Sequence, residues 1–252
     1  MSEPSDIKNQ FNFLSDSIRK NKKQKPVIQY DPKAIRRIIT AIGNGFIPDF
    51  KIDMDNVKQI AYMVQYFFND PKFEGDPGKG LLLIGPPGTG KTLLMVIFRE
   101  LIDRYSGLGH ATGEIIRGKE MDFMQWEKTI EQINSLKFTI APTKKITEKY
   151  ETQGHEGIMR YTKEGYCFDD LGEEDRTSKF YANECPVMSN VLTSRYNEFV
   201  YNGLITHATS NYPFVDSGKG TRYFQEAYGL RVEDRMYEMF NIVLFAGKSR
   251  RK

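Results

Sequence analysis

Residues 85–92 read Gly85-Pro-Pro-Gly-Thr-Gly-Lys-Thr92, a full match to the G-x-x-x-x-G-K-[ST] pattern of a triphosphate-binding loop. Gly85, Pro86, Pro87, Gly88, Thr89 and Gly90 form a loop whose glycines let the backbone wrap tightly. Successive N–H groups then turn inward as a nest for phosphate oxygens. The helix that follows adds the positive end of its dipole. Lys91 is placed to reach the β- and γ-phosphates, and the Thr92 hydroxyl to ligate Mg²⁺. A glycine-rich turn alone would not need a buried strand before it and a helix after it, and both are expected here. The loop therefore predicts binding of a nucleoside triphosphate.

A second cluster, Tyr166-Cys-Phe-Asp-Asp170, ends an apolar stretch in two carboxylates. The metal and the attacking water both require acidic groups at a strand end. Asp169 fits a Mg²⁺ partner acting through a water, and Asp170 fits the group that orients or deprotonates the nucleophilic water. A pair of aspartates in a solvated turn is the plainer alternative, and the apolar lead-in argues against it. Asn211 closes Thr206-His-Ala-Thr-Ser-Asn211. An amide there suits holding the lytic water or touching the γ-phosphate, but asparagine also ends strands as an ordinary turn residue. Spacing leaves both open. Arg231 and Arg235 lie four apart and share a helix face. Such a pair suits a finger reaching a neighbouring subunit's nucleotide, where it stabilises transition-state charge. The competing reading is pairing with Glu226, Glu233 or Asp234.

These residues need a scaffold, and the periodicity supplies one. Apolar runs at 81–84, 137–141, 166–169, 204–209 and 241–246 read as strands, the first buried on both faces. Helical patterns occupy 33–42, 55–68, 92–105, 143–153, 183–202 and 229–239. Asn44-Gly45 and Pro48 are expected to stop the first of them. Alternation of strand and helix predicts an α/β fold with a mainly parallel, five-stranded sheet covered on both faces. Residues 106–136 do not fit one crossover. They read as an insertion, with a glycine-rich loop and an amphipathic helix near 120–134 on which Met121, Met124 and Trp126 are expected to be core.

Composition excludes several classes. At 39% hydrophobic and 27% charged residues, disorder throughout is ruled out. The longest apolar run, residues 93–98, is far short of the ~18–20 that span a bilayer. No apolar signal core opens the chain. Two cysteines, Cys167 and Cys185, make neither a disulfide framework nor a zinc site, and point to a reducing cytoplasm. Cys167 reads as core. His110, His155 and His207 have no ligand spacing with the cysteines, leaving Mg²⁺ as the one metal expected. The net charge of +3 hides an asymmetry: residues 1–37 hold nine basic and four acidic side chains, and the last five hold four basic and none acidic. The body between is acidic. Basic ends suit a polyanionic partner, although a solvated tail is the commoner cause.

The phosphate loop, Cys167-Phe-Asp-Asp-Leu-Gly172, Thr206-His-Ala-Thr-Ser-Asn211 and Tyr228-Gly-Leu-Arg-Val-Glu-Asp-Arg-Met236 occur in that order. Together they resemble the DnaC/IstB-like AAA+ ATPases, bacterial and phage helicase loaders and transposition helpers, over roughly residues 55–252. The loop is generic, whereas Asp-Asp-Leu-Gly and Arg-Val-x-x-Arg-Met are more specific. The resemblance implies a three-layer P-loop NTPase (AAA+) core with Asp169 and Asp170 as Walker B and Asn211 as sensor 1. It makes Arg235 the trans-acting finger and Arg231 a neighbouring interface arginine. It implies ATP and Mg²⁺ as cofactors, self-association through nucleotide interfaces, single-stranded DNA binding, and a replicative helicase (or a transposase) as partner. Residues 1–50 would be a basic, partner-binding region and residues 51–252 the ATPase core.

Three departures stand out. Asp170 occupies a position where many AAA+ proteins have Glu. The N-terminal region lacks the cysteine cluster of some DnaC proteins, and the 106–136 insertion is unusual for the family. With six residues after the last strand, a C-terminal lid domain is not expected, and Arg250 or Arg251 are candidate substitutes at the nucleotide. No signal for base recognition exists, so DNA contact would be to the backbone, salt-dependent and sequence-tolerant. Arg160, Thr152 and Lys163 are candidates for it, and also fit a solvated face. A nucleotide-controlled binding module with negligible turnover is the rival from another class.

Overall fold

The computed structural model describes residues 27–107, 123–181, 183–213 and 223–250. The N-terminal arm before residue 27, the glycine-rich loop with His110 and Met121, and Arg251 lie outside the described residues.

Helix α1 (Pro32–Phe46) begins where Asp31 accepts the Lys33 N–H at 3.0 Å, with Pro32 in its first turn. It does not stop at 42 as expected. Asn44 stays helical, its side-chain amide donating to the Thr40 carbonyl at 2.9 Å, and the helix ends two residues before Pro48. Helix α2 (Val57–Phe67) leads to β1 (Gly80–Ile84), the glycine-rich loop 85–90 and α3 (Lys91–Ser106). Then come α4 (Phe123–Ser135), β2 (Thr139–Pro142), α5 (Thr143–Met159), a 3₁₀ turn (Arg160–Thr162) and β3 (Tyr166–Asp169). The rest is β4 (Ser178–Phe180), β5 (Asn183–Cys185), α6 (Val187–Asn202), β6 (Thr206–Ser210), α7 (Phe224–Tyr228), α8 (Leu230–Met239) and β7 (Phe240–Leu244).

Five strands form one sheet in the order β2-β3-β6-β1-β7, with all four pairings parallel. Side-chain alternation along β1 divides the core. Leu81 and Leu83 join Ile39, Phe67, Phe98 and Trp126 on one face, while Leu82 and Ile84 join Tyr150, Val191 and Met236 on the other. Helices α1–α4 therefore cover one face and α5–α8 the other. This is a three-layer α/β architecture. Ile35, Ile39 and Ile42 of α1 pack into the same cluster as Phe98 of α3, and the Ile28 N–H bonds the Phe68 carbonyl at 2.9 Å.

Three further expectations need correction. The helix expected over 183–202 starts only at Val187, because Pro186 caps it and residues 183–185 pair antiparallel with β4 as a short hairpin. Met124 is 67% exposed rather than core, whereas Trp126 is buried as expected. Helix α5 also runs past 153, bending at Gly154, whose φ of 62° and ψ of −148° are not helical. Cys167 is fully buried, and its thiol is pushed up by burial and then by nearby Asp169. His207 is a packing residue. Its Nδ1 accepts the Leu81 N–H at 3.0 Å, and the rings of Phe138, Phe67 and Tyr66 surround it. Among the described residues no helix is long and apolar enough to cross a membrane.

Candidate nucleotide site

The sheet order puts β3, β6 and β1 side by side, and in a parallel sheet their carboxyl ends share one edge. Asp169 ends β3, Ser210 ends β6 with Asn211 next to it, and the glycine-rich loop 85–90 follows β1. Residues up to 120 positions apart in the chain thus meet.

Within the loop, Gly88 (φ 82°) and Gly90 (φ 95°) are left-handed, a conformation that other residues adopt only with strain. They turn the chain back so that Lys91 begins α3 directly. The Lys91 side chain is 4% exposed and folds over the loop. Its ammonium donates to the carbonyls of Gly85 (2.7 Å) and Pro86 (2.9 Å) and to Oδ1 of Asn211 (2.9 Å). These three acceptors are neutral oxygens. Thr89 Oγ1 donates to the Pro86 carbonyl at 2.8 Å, fixing the loop internally, and Pro86 and Pro87 stand exposed at its rim.

Asp169 is 8% exposed and receives two hydroxyls on one oxygen, from Thr92 at 2.7 Å and Thr209 at 2.6 Å. The Thr92 hydroxyl and the Asp169 carboxylate are hard oxygen donors in contact, the donor chemistry that suits Mg²⁺. Such a metal uses one or two carboxylates alongside phosphate oxygens. It therefore needs no cluster of three His, Cys, Asp or Glu, and none occurs among the described residues.

Asp170 is exposed and left-handed (φ 57°), a region that Asp enters more readily than most residues. Its N–H donates to Thr209 Oγ1 at 3.0 Å, and its carbonyl accepts from Thr143 Oγ1 at 3.0 Å. The next residues are held to β6 as well, by Leu171 N–H to the Thr209 carbonyl (2.8 Å) and Ser210 Oγ to the Leu171 carbonyl (2.6 Å). The acidic turn is thus pinned by neighbours on both sides. Asn211 connects the two halves of the site, accepting from Lys91 and donating through Nδ2 to Glu173 Oε1 at 3.1 Å.

Arg231 and Arg235 do not join this cluster. They sit on α8, which packs on the sheet face opposite α3. Arg231 is exposed, and Arg235 lies over the Tyr196 ring at 4.8 Å. Of the acids weighed as their partners, Glu226 pairs instead with Arg176 at 2.6 Å. The C-terminal segment reaches the loop from outside. The Arg250 N–H donates to the Gly88 carbonyl at 2.8 Å, Ser249 sits against Gly88, and the Arg250 guanidinium pairs with Asp53.

Four residues of this neighbourhood escaped the sequence reading: Thr209, Thr143, Glu173 and Glu174. Thr209 lies within Thr206–Asn211, and its place on a buried strand beside Asp169 is the signal that points to it. Glu174 is 9% exposed, and burial raises its carboxyl above the usual range. Nothing in the run Leu-Gly-Glu-Glu separates its role from that of exposed Glu173.

No family model matches the chain, and no curated protein matches it. Among solved structures it is similar to DnaI, at 20% identity over 91% of this chain and 100% of that one, with a TM-score of 0.49. It is similar to the DnaC helicase loader at 19% identity, 79% and 95% coverage and a TM-score of 0.47. A candidate primosome component from Streptococcus pyogenes serotype M3 shares 17% identity, with 81% and 87% coverage and a TM-score of 0.48.

Proposed function

We propose that this chain is a helicase-loader-like AAA+ ATPase that binds ATP with Mg²⁺ and single-stranded DNA and delivers a replicative helicase in the cytoplasm. The observation that carries the ATPase reading is the meeting of Lys91, Thr92, Asp169 and Asn211 at the ends of three adjacent strands. The backbone N–H groups of residues 88–92 bind the phosphates, and Lys91 exchanges its carbonyl and amide acceptors for phosphate oxygens. Thr92 and Asp169 hold Mg²⁺, which when bound neutralises charge developing on the β- and γ-phosphates. Released from Lys91, Asn211 is free to orient the attacking water, and Asp170 takes up its proton. The exposed Arg231 and the ring-stacked Arg235 complete a neighbour's site. Their place on the face away from α3 supports action in trans.

The helicase part of the reading is supported by the Asp-Asp-Leu-Gly and Arg-Val-x-x-Arg-Met motifs, with residues 1–50 as the partner-binding region. The basic ends suit single-stranded DNA. A second reading, ATP as a switch with negligible turnover, is favoured by Asp170, a short side chain held in an exposed left-handed turn. ATP binding and turnover, measured with and without single-stranded DNA for wild type and Lys91→Ala, test the proposal. Salt-sensitive DNA binding, measurable turnover, and loss of ATP binding in the variant are expected. Normal ATP binding by Lys91→Ala would overturn the phosphate assignment, and turnover near zero in every condition would favour the switch. Capture of partners with and without residues 1–50 distinguishes the occupants: a helicase lost on truncation supports the loader, and a transposase overturns it.

A further inference from the structure

The turn after β3 continues from Asp170 into a second set of contacts that phosphate chemistry does not use. Glu174 is almost fully buried, and one of its oxygens accepts the Gly172 N–H at 2.9 Å. The other accepts the Tyr228 hydroxyl, 54 residues away in the chain. Tyr228 is the last residue of α7, and its ring stacks on that of fully buried Phe224. Gly229 follows with φ 80° and ψ 157°, a conformation that lets the chain turn sharply into α8. The first turn of α8 carries exposed Leu230 and Arg231, and Arg235 lies one turn further on. At the solvent rim of the same seam, Arg176 pairs with Glu226.

We propose that Glu174 and Tyr228 are positioning residues for Arg231 and Arg235, tying the arginine-bearing helix to the turn that carries Asp169 and Asp170 through one buried carboxylate. This rests on the reading of those arginines as acting in trans. The geometry favours positioning over general packing. Val232, Met236 and Met239 are buried and fix the helix against the core. The entry into its first turn passes through left-handed Gly229, and the adjacent Tyr228 hydroxyl is anchored on Glu174. The Asp169–Asp170 turn does not depend on the Tyr228 hydroxyl, because Thr209 holds Asp169 and Asp170 and Ser210 holds Leu171 from β6. Loss of the Tyr228 hydroxyl should therefore loosen the arginines of its own subunit and spare that subunit's phosphate site. Glu173, next to Glu174 and bonded to Asn211, provides a route by which the state of the phosphate site reaches the seam.

The test separates the two roles by subunit. Lys91→Ala subunits keep their arginines and lose the phosphate site, while Arg231→Ala/Arg235→Ala subunits keep the site and lose the arginines. Each alone is expected to be inactive, and a mixture in ATP and Mg²⁺ recovers turnover if the arginines act in trans. Tyr228→Phe is then introduced into one partner at a time. In the arginine-donating subunit it should lower kcat of the mixture about tenfold with KM for ATP unchanged, the scale of one hydrogen bond to a charged group. In the ATP-binding subunit it should leave turnover within about twofold, which also shows that the variant folds. Equal loss in both positions, or loss in neither, would overturn the positioning role. A parent mixture without recovered turnover would refute the trans-arginine reading, and this proposal with it.

Discussion

Replacing Thr209 with valine removes one hydroxyl and almost nothing else. That hydroxyl donates to Asp169 at 2.6 Å and accepts the Asp170 N–H at 3.0 Å, with Thr209 fully buried. Water cannot substitute at such a position, and valine fills the same volume, so no cavity contributes. A hydrogen bond to a charged group contributes about 1.5–3 kcal/mol and an amide bond about 1 kcal/mol. The expected loss is therefore about 3 kcal/mol, or a fall in Tm of roughly 6–12 °C for a chain of this size. Thr209→Ser keeps the hydroxyl and loses a methyl group, at about 1 kcal/mol. The order is the reverse of what apolar burial alone predicts, since valine is the more hydrophobic replacement yet should be the less stable. Chemical denaturation with a steady-state ATPase assay reads both consequences. Turnover should fall at least about tenfold in the valine variant, through displacement of Asp169 and Asp170, and stay within about threefold in the serine variant. A valine protein as stable and as active as the serine protein would refute the role given to this hydroxyl.

Three further outcomes follow from individual contacts. Arg195 is fully buried and donates to the carbonyls of Tyr161, Glu164 and Ile205 and to Thr206 Oγ1, with Phe168 beneath it at 5.3 Å. Burial brings its guanidinium down to about 10, a cost of about 3 kcal/mol that partly offsets those bonds. Arg195→Met should still destabilise by about 3–5 kcal/mol in denaturant titration, because buried carbonyls lose their donors. Gly80→Ala would put a methyl group 1.6 Å from the Thr206 carbonyl oxygen, between the two central strands, and should abolish soluble folded protein in circular dichroism and expression assays. Asn211→Ala should leave ATP affinity within about threefold and lower turnover at least about tenfold, read by equilibrium binding against steady-state rate.

Much of the architecture was legible because it is local. The short continuous apolar runs 81–84 and 166–168 and the helical period after Thr92 are each encoded within a few residues of one segment. The ends of elements were less legible. Residues 183–185 carry no strong strand pattern, and only pairing with Ser178–Phe180 makes them a strand. Asn44-Gly45 looks like a helix stop, yet packing of Ile39 and Ile42 keeps α1 helical to Phe46. In both cases tertiary contact outweighs propensity.

By itself the sequence determined the glycine-rich loop, the acidic strand end and the order of the motifs, since each is a run of adjacent residues whose backbone geometry follows from glycine, proline and apolar content. Only the tertiary structure decided which side chains complete them. Thr209 reaches Asp169 across 40 positions because β6 lies beside β3, and Lys91 reaches Asn211 across 120 because β1 lies on the other side of β6. Glu173 and Glu174 differ by one residue, but the turn sends one to Asn211 and buries the other against Tyr228. Sheet order and burial are properties of the whole chain, and they sort chemically identical neighbours into different roles.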